Sequence, residues 1–174
     1  MRILGVDPGL NITGYGLIEG SGLKVSLIEA GFIRTDPKQR LQERLEHIHI
    51  ALNKLIRALR PEVMVLEKLY AHWKHSMTAS ILGHARGVIC LAAKKNNIPL
   101  VEYSATRIKK AILGNGHASK LQVQRIIQGL FSLESLPKPV DIADALAVSI
   151  AHSYMSTSKL ALSPEDSSLA EACD

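Results

Sequence analysis

Two short apolar runs, each closed by an acid, constrain this chain more than any other feature: Ile3-Leu4-Gly5-Val6-Asp7 and Val63-Met64-Val65-Leu66-Glu67. A short apolar run bounded by turn residues reads as a buried strand. Asp7-Pro8-Gly9 is strong turn chemistry, so Asp7 stands at a strand end, and Glu67 closes the second run in the same way. Between the runs, Leu41, Leu45, Ile48, Leu52, Ile56 and Leu59 repeat at helical spacing, with Asp36 before Pro37 supplying an N-cap and a first helical position. A strand reached through a helical crossover is expected to lie parallel to the one it left.

Thr13 to Ile18 and Leu23 to Ile33 read as two further strands joined through Gly20-Ser21-Gly22, which makes a three-strand meander with the first. Ser76 to Lys95 is helical in composition, and Gly83 and Gly87 on one face would let another backbone approach. Pro99 to Tyr103 reads as a last strand. Ser104 caps a helix to about Leu113, Ser119 with Gln122 forms a capping box for the next, and a final helix begins near Asp141 and runs to about Met155. These elements make one α/β domain over residues 1–155. Residues 156–174, rich in Ser, Ala and acids without periodicity, are expected to form a disordered tail.

Composition agrees with this. At 174 residues the chain suits one domain with a real core, and 47% apolar with 4% aromatic residues fits an aliphatic α/β interior. A formal charge of +5 favours an anionic partner without naming one. Cys90 in an apolar stretch and Cys173 in the polar tail make no disulfide pattern, and no secretory leader or membrane-length apolar stretch is seen, so a cytoplasmic protein is expected.

The chemistry lies in the acids. A carboxylate at the end of a buried strand loses hydration that something must replace, and here two strands each deliver one. Asp141 and Asp144, spaced i, i+3, share a face of the first turn of the last helix. Each acid alone has an ordinary reading as a turn former, a helix-dipole partner or half of a surface ion pair. Together, four clustered carboxylates repel unless they share protons or bind cations, and hard oxygen donors suit two Mg²⁺ or Mn²⁺ ions. Such a pair activates water, orients a phosphodiester and stabilises the leaving oxygen, so phosphodiester hydrolysis is the matching reaction. Arg107, Lys109, Lys110 and Lys120 form a basic cluster around two helix starts, suited to phosphate contacts.

Other chemistries lack their residues. His72, His75 and His84 do not have zinc-ligand spacing. Gly114 to Lys120 departs from a phosphate-binding loop, with Ser119 and Leu121 at two of its defining positions. No Gly-x-Ser-x-Gly elbow is present.

Gly5-Val6-Asp7-Pro8-Gly9 with Thr13-Gly14-Tyr15-Gly16, then Leu66-Glu67, Gly83 to Gly87 (GHARG) and Asp141-Ile142-Ala143-Asp144-Ala145-Leu146-Ala147 occur in the order found in the RuvC family of Holliday-junction resolvases. The chain resembles that family, within the ribonuclease H-like superfamily, from residue 2 to about 155. The resemblance implies a five-stranded mixed sheet flanked by helices, catalytic and metal-binding roles for Asp7, Glu67, Asp141 and Asp144, and Mg²⁺-dependent cutting of four-way DNA junctions by paired symmetric nicks in recombination and repair. It also implies a homodimer and partnership with a RuvA–RuvB branch-migration complex; the Gly83–Gly87 helix is the candidate interface element, although such a small-residue face serves equally for packing on the chain's own sheet. Tyr70 matches an aromatic that stacks on bases near the crossover, and Lys109 and Lys120 match lysines of junction binding and catalysis. The segment from Ala71 to His75 departs from the family, being one residue longer and carrying His75 where Asn is common. Two other readings stand beside this one: an actin-like ATP-binding protein, from Asp7-x-Gly9 and Thr13, and an inert nucleic-acid-binding module.

Overall fold

A computed structural model describes residues 1–69 and 76–157. Strands β1 (Arg2–Asp7), β2 (Ile12–Ser21) and β3 (Lys24–Arg34) form the expected meander, followed by α1 (Leu41–Leu59), β4 (Val63–Glu67), α2 (Ser76–Lys95), β5 (Leu100–Tyr103), α3 (Ala105–Leu113), α4 (Lys120–Leu130) and α5 (Val140–Thr157). The five-stranded sheet has the order β3-β2-β1-β4-β5. β1 pairs antiparallel with β2 and parallel with β4, which in turn pairs parallel with β5. The mixed sheet is thus the one expected, with β1 at its centre and both acid-tipped strands side by side.

Both faces of the sheet are covered, which explains why β1 and β4 are apolar throughout rather than alternating. Leu4, Val6, Leu17, Met64 and Leu66 pack with Ile48, Leu52 and Ile56 of α1 and Ala85 and Ile89 of α2. Ile3, Ile18, Val63 and Val65 pack on the other face with Ile108, Val123, Ile127, Leu146 and Ile150 of α3, α4 and α5. Side chains alternate between faces along each strand, so the two cores interleave through the centre of the sheet.

Three details differ from the sequence reading. First, α1 begins at Leu41 with Arg40 as N-cap, not at Pro37. The carboxylate of Asp36 accepts the Lys38 N–H at 2.9 Å and its carbonyl accepts the Gln39 N–H at 3.1 Å, so Asp36 closes a local turn and the helix starts a turn later. Second, a Cβ on Gly83 or Gly87 would have nothing within 4 Å, so neither glycine seats another backbone among the described residues. Third, α5 continues to Thr157, two residues past its expected end. The rest of the expected tail, residues 158–174, lies outside the described residues, as does Tyr70 with the Ala71–His75 segment.

Candidate active site

Asp7 and Glu67 terminate neighbouring parallel strands, in register through Val6 opposite Leu66, so their side chains emerge at the same edge of the sheet. The final helix reaches that edge because glycines clear its path. Gly14 pairs with Asp7 across β1 and β2, and a Cβ on it would lie 2.1 Å from the Asp141 carbonyl oxygen. A Cβ on Gly5 would lie 2.0 Å from the carbonyl of Ala145. No other residue type fits either contact, and the result is that α5 lies almost on the backbone of the sheet with its first turn beside Asp7.

The loop after Asp7 is braced from behind. The Thr13 hydroxyl donates to the Gly9 carbonyl at 2.7 Å and the Thr35 hydroxyl to the Leu10 carbonyl. Arg44, buried in the apolar face of α1, donates through Nε to Thr35 at 2.9 Å and through Nη2 to Asn11. Sequence reasoning passed over Arg44 because Leu41 and Leu45 beside it satisfy the apolar stripe; the structure buries Arg44 and leaves Leu41 38% exposed.

Asp7, Glu67 and Asp144 line one cavity of about 280 Å³, together with Lys109, Lys120, Arg86, Pro8, and apolar residues such as Leu82 and Val123. Asp141 does not line it, but its charge is felt at Asp7. Burial first, then the charges of Asp144, Asp141 and Glu67 push the Asp7 carboxyl from its ordinary 3.8 up to about 7, with Lys120 acting in the opposite direction. Glu67 sits at the open mouth; partial burial of its carboxyl group and then the charge of Asp144 raise it, opposed by Lys120, Lys109 and Arg86. Lys120 Nζ donates to Asp144 Oδ2 at 2.8 Å, a contact that holds the ammonium in its charged form.

Lys120 comes to this edge because Ser119 caps α4. Its hydroxyl accepts the Gln122 N–H while the Gln122 side chain accepts the Ser119 N–H, the capping box expected from sequence. Lys109 arrives on α3, whose cap Ser104 accepts the Arg107 N–H. Arg107 and Lys110 lie on the same helix outside the cavity lining, with the Arg107 guanidinium 5.2 Å from the centre of the Tyr103 ring. The basic cluster therefore divides: Lys109 and Lys120 face the acids, while Arg107 and Lys110 belong to the surrounding surface. Arg86 was overlooked from sequence, although it stands inside the GHARG motif as the one long charged side chain among small residues.

The donor chemistry suits a hard divalent cation, being four carboxylates at one sheet edge with an ammonium already drawn to one of them. Among the described residues no three acidic, His or Cys side chains are gathered into the shell of a single ion. Burial first, and then the charges of the neighbouring acids, raise Asp7 and Glu67, so the carboxylates repel one another at this edge. Such a set can exchange the repulsion for coordination.

The family model for crossover junction endodeoxyribonuclease RuvC matches residues 3–152. The chain belongs to the RuvC family. Curated RuvC endonucleases include that of Rhodopirellula baltica, 44% identical over 168 residues, which are 97% of this chain and 92% of that one. RuvC of Halothermothrix orenii is 45% identical over 152 residues, covering 87% and 92%. Among solved structures, Thermus thermophilus RuvC in complex with a Holliday junction substrate aligns with a TM-score of 0.84 at 30% identity, covering 90% of this chain and 94% of that one. A yeast mitochondrial Holliday junction resolvase shares the fold, with a TM-score of 0.59 at 18% identity. RuvC proteins are endodeoxyribonucleases that depend on divalent metal, and the carboxylate-lined cavity has the donors that dependence requires. No helix of the described residues is long and apolar enough to cross a membrane.

Proposed function

We propose that this chain resolves four-way DNA junctions by paired symmetric nicks, hydrolysing phosphodiesters at a centre formed by Asp7, Glu67, Asp141 and Asp144 with two Mg²⁺ ions, for which Mn²⁺ substitutes. The observation that carries this reading is the meeting of Asp7, Glu67 and Asp144 with Lys109 and Lys120 in one cavity at the edge of the sheet. When bound, the cations lower the pKa of a water and neutralise charge on the phosphate. The carboxylates would hold the cations, and Asp7, whose pKa burial and its acidic neighbours raise, would be ionised by their charge. Lys109 and Lys120 present ammonium groups to the phosphodiester, and Lys120 releases Asp144 as it does so. Water adds to phosphorus, the bond to the leaving oxygen breaks, and that oxygen takes up a proton. Pro8 and Leu82 line the cavity beside the acids.

The wider reading follows the family. One nuclease domain spans residues 1–155. Two copies act as a homodimer, one active site for each strand of a symmetric pair, because a two-fold substrate is matched by a two-fold protein. Tyr70 stacks on a base near the crossover. Arg107 and Lys110 extend the phosphate-binding surface. The setting is cytoplasmic recombination and repair, in company with a RuvA–RuvB branch-migration complex.

Synthetic four-way junctions and plain duplex, each incubated in Mg²⁺ or EDTA, test this directly. Paired nicks at symmetric positions are expected in the junction only, and only with metal. Asp7→Asn should bind the junction and leave it uncut; normal cutting by a folded Asp7→Asn protein would remove the metal-site reading.

A further inference from the structure

Glu67 is the least enclosed of the acids in the cavity. It is the final residue of β4, exposed at the mouth, and the pairing of Glu67 with Tyr103 of β5 and the bond from the Lys68 N–H to the Tyr103 carbonyl at 2.8 Å hold the strand end in the sheet. Its own carbonyl is held from the opposite quarter. Arg86, three turns into α2, donates from Nη1 to the Glu67 carbonyl oxygen at 2.7 Å, and from Nη2 to Oε1 of Glu102 on β5. The Arg86 side chain is only 15% exposed and lines the same cavity as Asp7, Glu67 and Asp144.

We propose that Arg86 is the positioning residue for Glu67: its guanidinium ties the last peptide of β4 to α2 and β5 and thereby fixes how the Glu67 carboxylate meets a divalent cation. This rests on the metal-site reading above and goes beyond it, since Arg86 touches no reacting atom. Three features separate the role from a phosphate contact. Each terminal nitrogen donates to a protein acceptor, the side chain is mostly covered, and one acceptor is the backbone of the acid itself. A planar fork can hold two acceptors at once with fixed geometry, which a lysine ammonium does not reproduce. Glu102 supplies the countercharge that keeps the fork turned toward the strand end, and lies opposite Leu66 in the sheet, one residue before Tyr103. Residues that orient metal ligands from behind in this way commonly change metal affinity about 10- to 100-fold when removed.

The test measures Mn²⁺ binding to the protein alone by electron paramagnetic resonance, the Mg²⁺ dependence of junction cleavage, and junction binding in EDTA, for Arg86→Met, Arg86→Lys, Glu102→Gln and Glu67→Gln. Arg86→Met should weaken Mn²⁺ binding by about 10-fold or more and raise the half-saturating Mg²⁺ in parallel, with junction affinity in EDTA unchanged. Arg86→Lys should fall between it and the unaltered protein, and Glu102→Gln should shift both metal readouts the same way by a smaller factor. Unaltered Mn²⁺ affinity in a folded Arg86→Met, or lost junction affinity in EDTA without a change in Mn²⁺ affinity, overturns the proposal. Should Arg86→Met not fold, Arg86→Lys and Glu102→Gln decide it, and unaltered metal readouts in both count against it. Glu67→Gln keeps the two readings apart. If it binds Mn²⁺ normally, the site assignment fails; if it binds Mn²⁺ weakly while the Arg86 variants do not, only the positioning role fails.

Discussion

Asp7 is held where its charge is unwelcome. Burial and three neighbouring acids raise its carboxyl from 3.8 to about 7, so the folded chain holds this proton more tightly than the unfolded chain does. The sign of the linkage follows. Below pH 3.8 Asp7 is neutral in both states and exacts nothing; as pH rises from 3.8 to about 7 the unfolded state ionises first and stability is lost; above about 7 the loss is complete and constant. A shift of this size corresponds to at most about 4 kcal/mol, and partial solvent screening reduces it to roughly 1–3 kcal/mol. In EDTA, Asp7→Asn should therefore match the unaltered protein near pH 4 in thermal unfolding, gain on it through the interval, and hold a constant advantage above pH 7. Added Mg²⁺ should narrow that advantage by stabilising the unaltered protein. A melting-temperature difference independent of pH would show that Asp7 does not carry this electrostatic load. On the proposed reading the same acid weakens the fold and would strengthen a cation site, a trade expected of functional carboxylates.

At the scale of elements, what could be read from the chain was whatever is local. The two acid-tipped runs became adjacent parallel strands, and Ser104 and Ser119 cap the helices assigned to them, because strand patterning and capping involve residues close in sequence. Asp36 misled because its turn satisfies the same donors that a helix cap would, and the competing bond to Lys38 is invisible in composition. Arg86 and Arg44 were illegible for a different reason: each acts on a backbone or side chain far away in sequence, reached only once the sheet and helices have docked. The glycines lie between these cases, since their presence in Gly5-Val6-Asp7 and Thr13-Gly14 was plain but their purpose, the seating of α5, required the packed element. Gly14→Ala tests that purpose. With its Cβ 2.1 Å from the Asp141 carbonyl, the new methyl must push α5 away at the turn that carries Asp141. Destabilisation of about 1–3 kcal/mol is expected from overpacking of this kind. Cleavage should fall by more than about 10-fold beyond what the population of unfolded protein explains, since a shift near 1 Å at a reacting centre is enough for that. Cleavage per folded molecule equal to that of the unaltered protein would show that the glycine serves packing alone.

For the whole molecule, the described fold presents one acid cavity at one edge of one sheet, while a four-way junction offers two equivalent strands to cut. Among the described residues, none of four other cavities is lined by more than one carboxylate, so none of them offers a second cluster for the paired nick. On the proposed reading, a homodimer would supply the second site by symmetry and tie the two cuts to two copies of Asp7. The α2 helix bears on this, because Gly83 and Gly87 leave a shallow stretch that nothing in the described chain fills. The consequence can be checked with mixed dimers. Unaltered chain and Asp7→Asn chain, carrying different tags, are co-refolded and the hybrid isolated through both tags, then presented with a supercoiled plasmid carrying an extruded cruciform. The hybrid should nick one strand and release open circles, whereas the unaltered dimer should cut both and release linear product. Linear product from the hybrid at the rate of the unaltered dimer would mean that one active site serves both strands in succession, and the requirement for two copies of the acid cluster would no longer stand.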